Sequence, residues 1–452
     1  MSQWHIEYSR KLLHHLDAFV EKMPKTGRIA LGHAAGEPLP LVEALVDHAS
    51  LFQNLEIVHM VPMGPCRYCE PQYAKNFRHN SLFVGAPCRE AVNQNRADYT
   101  PVFFSKIPRL FERKILPLDA TLVCVSPPDK DGWMSFGVSV DYTEAAVHHA
   151  KLVIAEVNQQ MPRTFGSRIH LSQVDYVIES DRPLPQLKHT LITDVERQIG
   201  THIADLIEDG SCLQLGIGSI PDAVLSCLGN KRDLGIHTEM FSDGVLDLVH
   251  QGVINNQAKQ IDRGFMIATF LMGSQKLYDF VHENPQVLMR PVDYTNDPCI
   301  AGQNHKLISI NSALQIDLHG QVCADTLGNQ QFSSVGGQVD FVRAAAQSKG
   351  GRAIIALPAT AKKGSISKIV PCLDDGACVT TSRFDVDMVV TEYGVAELQG
   401  KTAQQRREAL IRVAHPDFRS ELRSWNRPEG RKEQGLSLPG FQRPEASYFV
   451  SQ

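Results

Sequence analysis

The feature that most constrains this chain is an alternation repeated along almost its whole length. Short runs rich in apolar and β-branched residues are each followed by a stretch with helical spacing. The strand-like runs lie at 29–32, 55–60, 121–126, 152–157 and 176–179. They continue at 212–215, 235–237, 265–270, 307–310, 353–357 and 388–391. Helical patterns at 40–47, 143–149, 189–208, 221–228, 245–251 and 338–346 separate many of them. Such alternation points to an α/β fold of mainly parallel sheets with covering helices.

A chain of 452 residues exceeds what one hydrophobic core usually holds, so two domains are expected. The polar, proline-rich stretch 180–187 precedes a long helical pattern and is the best boundary. It divides the chain into domains 1–185 and 186–452. Both parts read strand, glycine turn, proline and helix near their start: 27–32 with Pro38, and 210–216 with Gly218 and Pro221. Each later repeats a loop-rich segment, a helix and a strand, ending at 151–157 and 352–357. The expectation is a duplicated fold of two similar open α/β domains. The last 25 or so residues, rich in Gly, Pro and charge, are expected to pack loosely.

A net charge of -5, with no strongly basic segment, argues against nucleic acid as a partner. No apolar run reaches the roughly 18 residues of a membrane span, and the amphipathic, acid-bearing N-terminus lacks the form of a signal peptide. The ten cysteines are scattered, and Cys66 and Cys69 form a lone CxxC without a second ligand pair. Neither a disulfide framework nor a metal site is expected, and a reducing cytoplasm fits.

Four segments carry possible chemistry. At Gly216, Ile217, Gly218, Ser219 and Ile220 a strand ends in two glycines, and Ser219 or Pro221 opens a helix. That geometry lets a ligand approach the backbone and favours an anion or carbonyl oxygen. Asp222 replaces the third glycine of a dinucleotide fingerprint, so a Rossmann site is disfavoured. The second segment delivers Glu239 to the end of a short strand, where ligands gather in open α/β sheets; Asp243 suits capping of the following helix. The third is a double-glycine loop, Gly336–Gly337, whose N–H groups suit an oxyanion. The fourth places Lys362 and Lys363 in a Gly/Ser loop after a strand, available to a phosphate or amide carbonyl. Taken singly, each also reads as an ordinary turn or a solvated charge.

Together the segments resemble the acetyl-CoA hydrolase/transferase group of class I CoA-transferases, nearest to the butyrate and 4-hydroxybutyrate enzymes. The resemblance rests on GIGSIPDAV at 216–224, LGIHTEMFSDGVLDLVHQGVI at 234–254, SSVGGQVDF at 333–341 and VVTEYGVAELQGKT at 389–402. Segments 95–111, 125–143 and 155–166 agree as well. It implies that Glu239 attacks the acyl-CoA thioester, and that Gly216–Ile220 binds CoA and an oxyanion. Gly336 and Gly337 would supply N–H donors, and Lys362 or its neighbour Lys363 would contact CoA. It further implies an active site in the interdomain cleft, with 62–65, 85–87 and 161–166 shaping an acyl pocket. Coenzyme A is then a substrate rather than a bound cofactor, the partners are acyl-CoA and a small carboxylic acid, and a homodimer is expected. A glutamate near its reference pKa of roughly 4.3 would be ionised at pH 7 without an activating base. The nearest rival activity is hydrolysis of the same thioester.

Overall fold

The computed structural model describes residues 3–187 and 191–425. The expected loose C-terminus lies outside the described residues. The expected helix at 189–208 begins at Asp194 and ends at Leu206, residues 188–190 being outside the description as well.

The first part of the chain forms a seven-stranded sheet from β1 Arg28–Leu31, β2 Leu55–His59, β3 Phe77–Ser81, β4 Asp98–Tyr99, β5 Ala120–Val125, β6 Val153–Asn158 and β7 Tyr176–Ser180. Its order is β7-β6-β5-β1-β2-β3-β4, and every pairing is parallel. β5 and β6 are buried at every position, as the centre of a sheet covered on both faces requires. The second part forms a six-stranded sheet from β8 Cys212–Leu215, β9 Gly235–Ile236, β10 Leu307–Ser312, β11 Arg352–Ala356, β12 Met388–Thr391 and β13 Gly394–Glu397. Its order is β9-β8-β10-β11-β12-β13, parallel except for the terminal β12–β13 hairpin.

The internal echo is a real correspondence of topology. With β3 and β4, which extend the first sheet beyond β2, left aside, β2-β1-β5-β6-β7 and β9-β8-β10-β11-β12 share one order: second, first, third, fourth, fifth. In both, strand order reverses at the first strand, so a crevice opens beyond the C-terminal ends of β1 and β8. The glycine turns found in the sequence follow these two strands.

The two parts are stitched together rather than merely abutted. Val140 N–H donates to the Thr269 carbonyl (3.0 Å) and Leu271 N–H to that of Val138 (2.8 Å). Phe165–Gly166 joins a small parallel sheet with Val287–Met289 and Met266–Ala268. The segment 161–166, expected at the acyl pocket, thus contributes a strand across the junction. The stretch 180–187 is also fixed at both ends. Arg182 pairs with the buried Glu156 (2.7 Å), and Leu187 N–H donates to the Gly273 carbonyl (3.0 Å). No helix among the described residues is long and apolar enough to cross a membrane.

Candidate active site

β9 is short because the chain leaves the main sheet after Ile236. His237 and Thr238 carry it across to a second pairing, Met240–Phe241 alongside Phe270–Leu271. Glu239 stands at this crossing. Its carbonyl accepts N–H bonds from Thr269 (2.9 Å) and Phe270 (3.2 Å). Because residues 138–141 pair with 269–271 from the other side, the backbone of Glu239 is fixed from both halves of the molecule.

Thr238 ties the crossing to the first glycine loop: its Oγ1 accepts from Leu215 N–H (3.1 Å) and lies 3.0 Å from the Leu215 carbonyl. Gly216 and Gly218 follow directly, and Ser219–Ser226 is a helix whose N-cap, Gly218, offers no side-chain cap. Gly218 has φ 113° and ψ -176°, a region open essentially to glycine alone. A Cβ on Gly216 would meet nothing within 4 Å, so the packed protein itself does not demand glycine there. Ser219 Oγ reaches Glu196 (3.3 Å), Ile217 is exposed and Ile220 is buried. Beside this loop opens a cavity of about 1240 Å³ lined by Ile217, Gly218, Ser242, Gly244, Met272 and Gly273. Asp222, Asp243, Asp247 and Asp279 outnumber Lys276 on its walls, so it suits an uncharged chain better than a diphosphate.

The Glu239 carboxylate is partly covered. Asn296 Nδ2 donates to its Oε2 at 2.7 Å, and Gly337 N–H also bonds to the carboxylate. Gly337 has an ordinary φ of -95°, so its identity is set by proximity: a Cβ there would collide with Glu239 Oε2 and Asn296 Nδ2. Gly336 has φ +53°, and a Cβ on it would come within 3.4 Å of the Phe83 ring and 3.9 Å of Glu239 Oε1. Burial, with the nearby charges of Asp340 and Asp141, pushes the Glu239 pKa up to about 8 despite the two donors. This corrects the expectation of an ordinary glutamate, because desolvation is created by tertiary packing that the local sequence does not display.

His237, two residues away, donates from Nε2 to the Thr295 carbonyl (2.9 Å), and burial pushes its pKa down to about 3. It is a neutral structural group. Asp243 departs from its expected capping role: its carboxylate instead accepts from Ser274 N–H (2.8 Å) and Oγ (2.5 Å).

On the first-half side, Val61, Met63 and Phe83 are partly buried against a cluster containing Met60, Phe104, Met240, Phe270 and Met272. This apolar wall adjoins Glu239. The buried Glu37 carboxylate accepts from Met63 and Gly64 N–H, both at 2.8 Å, and thereby fixes the 62–65 turn. Gly85 is the N-cap of helix Ala86–Asn93.

The structure therefore joins Glu239, Gly336 and Gly337 directly, and links them to Gly216–Ile220 through Thr238. Lys362 and Lys363 are exposed at the tip of the hairpin Thr360–Ala361/Ile366–Ser367, with φ +46° and +57°. Neither side chain is hydrogen-bonded to Glu239 or to the glycine loops. Asn296 had no sequence signal beyond a polar turn before Pro298, at the end of the short helix Val292–Thr295.

Family models for the acetyl-CoA hydrolase/transferase N-terminal and C-terminal domains match residues 1–187 and 273–425. The chain is 55% identical to a 4-hydroxybutyrate coenzyme A transferase of Clostridium kluyveri, over 93% of this chain and 98% of the relative. Among solved structures, a 4-hydroxybutyrate CoA-transferase from Porphyromonas gingivalis matches with a TM-score of 0.81 and 40% identity. RipA from Yersinia pestis matches with a TM-score of 0.89 and 37% identity. Each covers 93% of this chain and 98% of its own.

Proposed function

The chain belongs to the acetyl-CoA hydrolase/transferase family, and from that premise we propose that it moves CoA between a short-chain acyl-CoA and a small carboxylate, with Glu239 as covalent nucleophile. The acyl group in view is 4-hydroxybutyryl, butyryl or acetyl. One observation carries the assignment of the nucleophile: a strand-end carboxylate held by Asn296 and by a glycine N–H so close that no side chain fits at position 337.

In the first step Glu239 Oε attacks the thioester carbonyl carbon. The resulting oxyanion is stabilised by backbone N–H donors of the glycine loops, each worth roughly 3–4 kcal/mol in such sites. The C–S bond then breaks, giving an acyl-glutamyl anhydride and CoA thiolate. The thiolate attacks Glu239 Cδ, and the anhydride C–O bond breaks to release the first acid as its carboxylate. A glutamyl-CoA thioester remains, and a second carboxylate reverses both steps. No net proton is consumed, and the kinetics are ping-pong. With a pKa of about 8, only about a tenth of Glu239 is ionised at pH 7 in the unliganded protein. We therefore expect kcat/KM for acyl-CoA to rise with pH and level off above about 8, read from initial rates between pH 6 and 9.5.

The Gly216–Ile220 loop is assigned to CoA, supported by the open space at Gly216. Gly216→Ala should leave the thermal midpoint unchanged and raise KM for acyl-CoA by about tenfold, because the added methyl crowds only a ligand. An equal fall in stability would remove the loop from the binding site. Lys362 and Lys363 are assigned to the charged end of CoA, supported by their exposure at a hairpin tip. The division into domains 1–185 and 186–452 is proposed on the change of sheet between β7 and β8. A cytoplasmic setting is supported by the ten free thiols.

The test is intact-protein mass after incubation with butyryl-CoA, followed by borohydride reduction. Reduction localised to Glu239 supports exchange through the glutamyl thioester. Unmodified protein with steady CoA release would instead establish hydrolysis.

A further inference from the structure

The donor loop beside Glu239 belongs by sequence to the second half of the chain, yet it is held by the first half at one residue after another. Arg89 Nε donates to the Phe332 carbonyl (2.8 Å), and its guanidinium lies over the Phe332 ring. Asn93 exchanges hydrogen bonds with the backbone of Gln331 (2.8 and 2.9 Å). Tyr99 Oη meets Ser334 Oγ at 2.9 Å. Phe104 N–H donates to the carbonyl of Gly336 itself (3.2 Å). Last in this row, Ser105 donates from both its N–H (3.1 Å) and its Oγ (2.9 Å) to the two carboxylate oxygens of Asp340.

Asp340 sits in the first turn of helix Gln338–Gln347, immediately after the two glycines, and both Ser105 and Asp340 are buried. A carboxylate that accepts two donors from one residue of the opposite half fixes the rotation and height of its own helix end. That end in turn carries the Gly337 N–H. Phe104 and Ser105 are adjacent, so one turn of the first half grips the glycine loop on its near side and the helix on its far side.

We infer that Ser105 and Asp340 are a positioning pair, through which the first half of the molecule sets the Gly337 N–H against Glu239. The inference rests on Glu239 being the nucleophile. Neither residue touches the reacting atoms; both act through the glycine loop. Asp340 has a second effect: it lies in the helix turn that follows Gly337, whose backbone is against Glu239, so its charge is close enough to raise the Glu239 pKa. The titratable and charged groups around the two carboxyls are Lys106 on the Ser105 turn, Arg343 on the Asp340 helix and Asp141 from the first half. Lys106 lies 3.9 Å from Asp297 and Arg343 3.2 Å from Asp385, so both cations are shared with other acids. Asp141 is held against His33 (3.2 Å).

The experiment uses the full chain. Thioester formation at Glu239 is first measured in a single turnover of the wild type by mass; if none forms, the nucleophile assignment itself falls. If it forms, Ser105→Ala is compared. The expected result is thioester formation slowed by about tenfold to a hundredfold per folded molecule, with KM for acyl-CoA changed less than about twofold. Ser105→Thr, which keeps the hydroxyl, should recover most of the rate. Asp340→Asn keeps an acceptor for Ser105 and removes the charge, so it should move the acid limb of kcat/KM to lower pH by about half a unit or more. Wild-type rates per folded molecule in Ser105→Ala overturn the inference, even if the midpoint falls. An unmoved acid limb in Asp340→Asn overturns the electrostatic half.

Discussion

Glu239→Gln should lose acyl exchange by at least about 10⁴-fold and melt at a higher temperature than the wild type above neutral pH. The first part follows from replacing a nucleophilic oxygen with an amide that cannot carry CoA. The second follows from linkage. The folded-state pKa of Glu239 is raised to about 8 from 4.5, so the native protein retains a proton that the unfolded chain releases. Stability from this group is fully present below about pH 4.5 and is lost as pH rises through the folded value of about 8. At pH 7 the difference is on the order of 3 kcal/mol, from about 1.4 kcal/mol for each of about 2.5 units. Gln keeps an acceptor for Asn296 and Gly337 without a charge to desolvate. Calorimetry of both proteins at pH 5 and pH 8 checks this: the advantage of Gln should widen at the higher pH. A gap that stays constant would mean that Glu239 is no more costly to ionise when folded than when unfolded.

Gly337→Ala should lower kcat by about 10²–10³-fold. A β-carbon at this position overlaps Glu239 Oε2 and Asn296 Nδ2 together, so either the carboxylate or the loop must give way. The backbone conformation would accept alanine, which separates this substitution from one at Gly336, where a left-handed φ adds strain of its own. The loss should fall on thioester formation in single turnovers rather than on acyl-CoA affinity. Retention of wild-type kcat would show that the close approach of Gly337 serves packing alone.

The legibility of this chain from its sequence divides along physical lines. Every strand of the two sheets that is apolar and β-branched was visible, because burial on both faces leaves little choice of residue. β3, the short β4 and the hairpin strand β13 were not: in β3, Phe77–Ser81 holds one large apolar side chain, and its buried polar groups are satisfied individually. His79 Nδ1 meets the Ile57 carbonyl at 3.1 Å, and Asn80 donates to Glu56 at 2.9 Å. The run at 265–270 appeared continuous, yet Thr269 interrupts it by offering its carbonyl to residues 140 and 141 of the other half. At the site, glycines and an acid at strand ends stood out because close approach and sheet-end position leave local marks. Asn296, Ser105 and the raised pKa of Glu239 leave none. They arise where segments far apart in sequence meet, and a window along the chain contains only one side of each contact.

The stitching between the halves also dictates an order of assembly. A growing chain presents Glu239 about a hundred residues before Gly337, and the grip of Ser105 on Asp340 spans 235 positions. Until that late segment docks, the carboxyl has neither its glycine donor nor the neighbouring aspartate that helps raise its pKa. A nascent chain ending before residue 330 would therefore hold Glu239 against Asn296 but without Gly337 or Asp340 beside it. On the reading proposed above, the donor side of the site is completed only when the segment carrying Gly337 and Asp340 docks on the first half.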